Sequence, residues 1–154
     1  MELNEIWAKL IDAFRSGEQE FQSVVEEFKR VDPSWLDYLR KKTFSKEKTI
    51  AFSVISTLTD DELTSIFDVL IYHASFAHGA TKMFRDLIVK LPRSWVLENI
   101  EKYAEPILST ADEDVYRRML ELYSELDPQF TNVLLTRALS SDNPAIREAG
   151  DDFK

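Results

Sequence analysis

Two histidines, three acid-rich turns and one run of cations are the groups in this chain whose type and spacing invite a chemical reading. His73 and His78 stand five residues apart in YHASFAHG. On a helix that spacing turns the two side chains about 140° away from each other, so they cannot share a metal as an i, i+4 pair does. Neither has a carboxylate at the spacing of an E-x-x-H ligand pair. His78 is expected to favour the negative end of its helix, and His73 to be partly exposed or hydrogen-bonded. The acid groups are Asp60, Asp61 and Glu62, then Asp112, Glu113 and Asp114, then Asp151 and Asp152. The first two fall where helices should begin, and acids there complement the helix dipole without any catalytic purpose. None has the alternating ligands and central glycine of a calcium loop. Glycine-rich phosphate loops, G-x-S-x-G elbows and H-E-x-x-H motifs are missing, and cysteine is absent altogether. The expectation is a protein that is not an enzyme and holds neither cofactor nor metal.

Charge offers a different opening. The net charge is −9, which disfavours general affinity for nucleic acid, yet residues 29 to 48 hold seven bases against three acids. Within that stretch Tyr38 lies off the main apolar stripe of its helix, beside Arg40, Lys41 and Lys42, with Lys46 following in the turn. Tyr38, Arg40, Lys41, Lys42 and Lys46 are therefore candidate partner-binding residues, since they join positive charge to an aromatic face. Trp7, Trp35 and Trp95 all sit on inner stripes, where core packing explains them.

The elements that must position these groups are helical throughout. Apolar residues recur at a period of 3.6 from end to end, and glycine and proline are scarce at 3 and 5 residues. Leu3, Ile6, Trp7, Leu10, Ile11 and Phe14 form a first stripe closed by Gly17. Phe21, Val24, Val25, Phe28 and Val31 form a second, antiparallel to it. Asp32 and Pro33 should open a third helix, with Asp32 as its cap, and Ser45 is a plausible cap for a fourth. A long helix is expected from TLTDDEL through Leu63, Ile66, Phe67, Leu70, Ile71, Ala74 and Ala77 to Gly79. Met83 to Leu91, Trp95 to Tyr103, Val115 to Leu126, and Phe130, Val133, Leu134 and Ala138 continue the pattern. About ten helices result, or five hairpins of roughly 31 residues, within the range of helical repeats. One domain over residues 1–154 is expected. No window approaches the 18 or so apolar residues of a membrane span, and the N-terminus lacks the layout of a secretory signal, so the expected location is cytoplasmic, away from membranes.

The last stretch, LSSDNPAIREA, places Asp142, Ile146 and Arg147 in D-N-P-A-I-R, with Ala149 following. It resembles the HEAT-repeat pattern, in which a short D-x-x-x-[VI]-R turn joins two helices. The resemblance implies that Asp142 and Arg147 belong to a ladder between turns and that Ile146 fills the core. A shift by one such hairpin sets Val115 on Ile146 and Leu108 on Leu139, so the apolar register persists, while Ala111 and Tyr116 take the places of Asp142 and Arg147. The implied fold is all-α: stacked antiparallel helical hairpins, a HEAT-like α-solenoid of about five pairs, with a compact multi-helix bundle as the alternative.

Such an architecture, without catalytic groups, points to a non-catalytic scaffold or interaction module that binds another protein. A small acidic inhibitor or immunity-type protein capturing a basic partner is one form of that expectation. Nucleic-acid binding through the basic hairpin 29–48 is the other alternative.

Overall fold

The computed structural model describes residues 1–76 and 79–154, and these are all-helical, with eleven α-helices and no strand. Ala77 and His78 lie outside the described residues, and with them the expectations placed on them. The helices fall into two compact units, Met1–Ile66 and Phe67–Lys154.

The first unit begins with α1 (Leu3–Ser16) and α2 (Glu18–Val31). A capping box between Glu2 and Glu5 satisfies donors at the start of α1. Gly17 alone joins the two helices at φ 139, a conformation that any residue with a Cβ resists. A one-residue connection returns the chain on itself, so α2 packs along α1. The next helices are α3 (Trp35–Lys42) and α4 (Lys48–Ile55). Each of α1 to α4 packs on the next, and α4 returns to α1, closing a ring around Ile6, Leu10, Val25, Phe28, Leu39, Val54 and Ile55, all fully buried. A short α5 (Asp60–Ser65) completes the unit, opened by a capping box in which Thr59 and Glu62 exchange hydrogen bonds.

Four local expectations need correction here. Phe14 is 41% exposed, because Ala13 takes the inward position in the last turn of α1, and the Phe14 ring meets Phe21 edge-on at 5.7 Å. Asp32 does not cap α3: its carboxylate accepts from the backbone and hydroxyl of Ser34, making a turn that delays the helix to Trp35. Ser45 does not cap α4 either, since its hydroxyl accepts from Glu47 N–H and donates to the Lys42 carbonyl, in the turn that precedes the helix start at Lys48. The long helix is broken as well. Ile66 leaves helical geometry at φ −120, ψ 31, so Leu63 and Ile66 belong to the first core while Phe67, Leu70 and Ile71 belong to the second.

The second unit runs through α6 (Phe67–Ser75), α7 (Thr81–Lys90), α8 (Arg93–Leu108), α9 (Glu113–Leu126), α10 (Pro128–Leu139) and α11 (Pro144–Phe153). The starts of the later helices are capped by side chains: Asp112 accepts from Val115 N–H, Asp127 from Gln129 and Phe130, and Asn143 from Ala145. Helix α9 is the hub, touching α6, α7, α8, α10 and α11. It buries Val115, Tyr116, Met119, Leu120, Leu122, Tyr123 and Leu126, so it is apolar on more than one side. His73 is likewise buried, 3% exposed, with its ring 5.0 Å from that of Phe84, rather than partly exposed. Val133, expected to point inward, is 65% exposed, and Leu134 and Ala138 make the buried face of α10.

Ion pairs tie the second unit together at regular intervals. Arg85 of α7 pairs with Glu121 of α9, and Arg117 of α9 pairs with Asp152 of α11. The two arginines, and likewise the two acids, stand one hairpin apart in the chain. Even the details repeat, since Arg85 Nε and Arg117 Nη1 are each buried without an acceptor. A second set joins α8 to α10: Arg93 to Asp127 at 2.9 Å near the first turns, Arg137 to Glu105 at 2.6 Å near the last. Bonds that match first turn to first turn and last to last require α8 and α10 to run in the same direction.

Candidate functional site

Residues 29 to 48 come together as an aromatic and charged corner of the first unit. Trp7 packs against Phe28 and Tyr38, with ring centroids 5.8 Å apart in each pair, and Phe28 packs edge-on against Trp35. Glu47 anchors the corner. It accepts a hydrogen bond from Trp7 Nε1 at 2.8 Å and pairs with Lys42 at 3.2 Å. The bond from Trp7, helped by Lys42 and Lys46 and opposed by partial burial, holds the Glu47 carboxyl below its usual value. Lys42 also lies 5.4 Å from the ring centroids of both Trp7 and Tyr38.

The five sequence candidates thus occupy different situations. Tyr38 is half-buried in the aromatic cluster, and Lys42 is engaged by Glu47 and two rings. Arg40 reaches the Ser65 carbonyl at 3.5 Å, while Lys41 is exposed and pairs with Asp37 in the next turn down. Lys46 is exposed, as are Lys48 and Phe44, the last at 58%. Lys29 pairs with Glu62 at 3.0 Å, inside the same unit. The outward face of the corner is accordingly Lys41, Phe44, Lys46 and Lys48.

A second feature was not legible as a site. Between α8 and α10 lies a slot of about 240 Å³, lined by Glu101, Glu105 and Leu108 of α8, Tyr123 of α9, and Phe130, Val133, Leu134 and Arg137 of α10. Its origin is geometric. Both outer helices rest on α9, and the ion pairs Arg93–Asp127 and Glu105–Arg137 hold them together at the two ends. The slot is what remains between those ties. Tyr123 and Phe130 approach edge-on, 6.3 Å between centroids. Burial pushes the Tyr123 phenol well above its usual value, Glu101 and Glu105 push it the same way, and Arg137 opposes them. Of the charges around the floor Glu101 acts most strongly, and Arg137 offsets Glu105. Glu105 is held below its usual value by its hydrogen bonds from Arg137, whereas Glu101 is exposed and forms no ion pair among the described residues. Arg137 also borders a neighbouring depression with Tyr116, Ser141, Asp142 and Ile146.

Of the positions that resemble a HEAT turn, Ile146 is buried, Asp142 is exposed, and Arg147 donates to the Ser141 carbonyl at 2.6 Å. The sequence signal for the slot was the spacing of its ties. Glu105 to Arg137 spans 32 residues and Arg93 to Asp127 spans 34, both close to the hairpin period. Among the described residues no three histidines, aspartates or glutamates gather as metal ligands, and no helix is long and apolar enough to cross a membrane. No family model, curated protein or solved structure matches this chain.

Proposed function

We propose that this chain is a non-catalytic interaction module that binds another protein, with residues 67–154 built as stacked helical hairpins α6/α7, α8/α9 and α10/α11. The stacking is supported by α9 lying against both α7 and α11 and by arginine-to-acid pairs that recur once per hairpin. Residues 1–66 follow the alternative plan, a closed small bundle. The observation that carries the binding reading is the slot between α8 and α10. Its lining is concave and mainly apolar, with Val133 exposed at its edge, which suits it to take up a side chain of a partner. Its acidic rim and the −9 net charge favour a basic partner, as in an inhibitor or immunity-type protein. The test is affinity purification of the tagged chain from its native cells, followed by reconstitution from purified components at low and high salt. A stoichiometric complex that weakens as salt rises is expected. Failure of any stoichiometric protein complex to form sinks the reading.

A second reading rests on Phe44, exposed at 58% between Lys41, Lys46 and Lys48, an arrangement suited to nucleic acid. It requires a mobility shift with single-stranded RNA or DNA at low salt that Lys46→Glu with Lys48→Glu removes. No shift for the unaltered protein ends it.

A further inference from the structure

We propose that the slot between α8 and α10 is a receptor for one basic side chain of a protein partner, an arginine by preference, whose alkyl stem lies on Phe130 and Leu134 and whose charged head meets Glu101. The inference rests on the interaction-module reading and gives it a chemical class of ligand.

Size sets the first limit. At about 240 Å³ the slot is smaller than the roughly 300–1,000 Å³ of pockets that enclose drug-sized molecules. A whole helix, about 10–12 Å across with its side chains, cannot enter. A single long side chain can.

Charge and polarity narrow the choice. The rim carries Glu101, Glu105 and one cation, Arg137, and that cation is spent on both oxygens of Glu105, at 3.1 and 2.6 Å. Among the described residues Glu101 is left as an unpaired carboxylate above an apolar floor. A cation with a hydrocarbon stem matches that sequence of surfaces, apolar below and anionic above, as long basic side chains do elsewhere. An acidic ligand would meet the unpaired Glu101 carboxylate, since Arg137 offsets Glu105. A purely apolar one would leave Glu101 desolvated without compensation. Arginine is preferred over lysine because its planar head can lie against an aromatic face, here Phe130 beside Tyr123, while bonding a carboxylate in its own plane. Glu105 and Arg137 already make such a two-bond pair a turn away.

The experiment uses the full chain, titrated with the amidated peptide Leu-Arg-Leu, and with Leu-Lys-Leu and Leu-Glu-Leu, followed by NMR of backbone and methyl signals. Saturable shifts at Glu101, Val133 and Leu134 are expected with the arginine peptide, weaker ones with lysine and none with glutamate. Glu101→Gln, at an exposed position, should weaken binding about tenfold, the size of one charge-assisted pair, with unchanged circular dichroism. Val133→Glu, also exposed, changes the slot edge without touching the core and should alter the same shifts. The proposal is overturned if no saturable shift occurs, if shifts fall outside the slot, or if Glu101→Gln binds the arginine peptide as well as the unaltered chain. The two levels separate cleanly. A reconstituted complex retained in full by Glu101→Lys would uphold the module and overturn this receptor. Peptide shifts in the slot with no protein complex would leave the slot's preference for a basic side chain standing and overturn both the module and the protein partner assigned to the slot.

Discussion

Glu47 ties the turn before α4 back to Trp7 on α1, and its behaviour in acid follows from that. Its folded value is depressed, chiefly by Trp7 Nε1, so it contributes stability above the usual carboxylate value of 4.5 and loses it as pH falls through the depressed one. Glu62 acts in the same sense. Burial alone would raise it, but bonds from the Thr59 N–H and Lys29 outweigh burial and leave it lowered. Denaturant unfolding of Glu47→Gln should therefore show lower stability at pH 7 and a shallower loss on acidification from about pH 5 to pH 3. An acid limb as steep as that of the unaltered chain would contradict the role given to Glu47. At this scale the sequence was only half legible. The basic character of residues 40–48 is plain in the chain, but Lys42 is taken up by Glu47, Trp7 and Tyr38, and Trp7 lies two helices upstream of it. Local patterning has no access to a partner that tertiary folding supplies.

Helix starts were readable at the acid groups, because capping is a local exchange between a side chain and N–H groups two or three residues on, and misread at Asp32 and Ser45, whose side chains bond within the preceding turns. The acid groups at 60–62 and 112–114 do sit at helix starts, with Thr59 and Asp112 as the caps. Asp127 combines both duties, capping α10 and receiving Arg93. Asp127→Ala should cost about 1–2 kcal/mol in chemical denaturation, more than Arg93→Ala, which removes only a pair whose arginine is 63% exposed. Equal losses would show that the cap is idle. The Arg117–Asp152 pair, exposed on its acidic side, should give a coupling of about 0.2–1 kcal/mol in a double-mutant cycle, diminishing with salt. Helix faces were misread at their margins. Phe14 and Val133 fit the apolar period of their helices yet lie at the edge of the stripe, where a rotation of one position decides between core and solvent.

Across the molecule, the all-helical class followed from periodicity, but the division at Ile66 and Phe67 did not, because both residues are buried and the apolar pattern runs through the break. A period cannot tell which of two cores a residue enters. Core and edge should nevertheless separate in stability. Leu70→Ala, at a fully buried site, should cost about 2–5 kcal/mol. Phe14→Ala loses an edge-on contact with Phe21 at a half-exposed site and should cost less than about 1.5 kcal/mol, as read by thermal or denaturant unfolding. Comparable losses would mean that the α1–α2 hairpin is packed differently. The paired arginines of α7 and α9 also bear on how this molecule can change in length. Arg117 faces one neighbour and Glu121, a turn later, the other. One residue inserted between them turns one partner about 100° away from its mate. An insertion of a whole hairpin preserves both bonds and adds one. On the stacked-hairpin reading proposed above, growth or shrinkage of the second unit is tolerated in whole steps and penalised in between, so length variants of this protein should differ by complete hairpins.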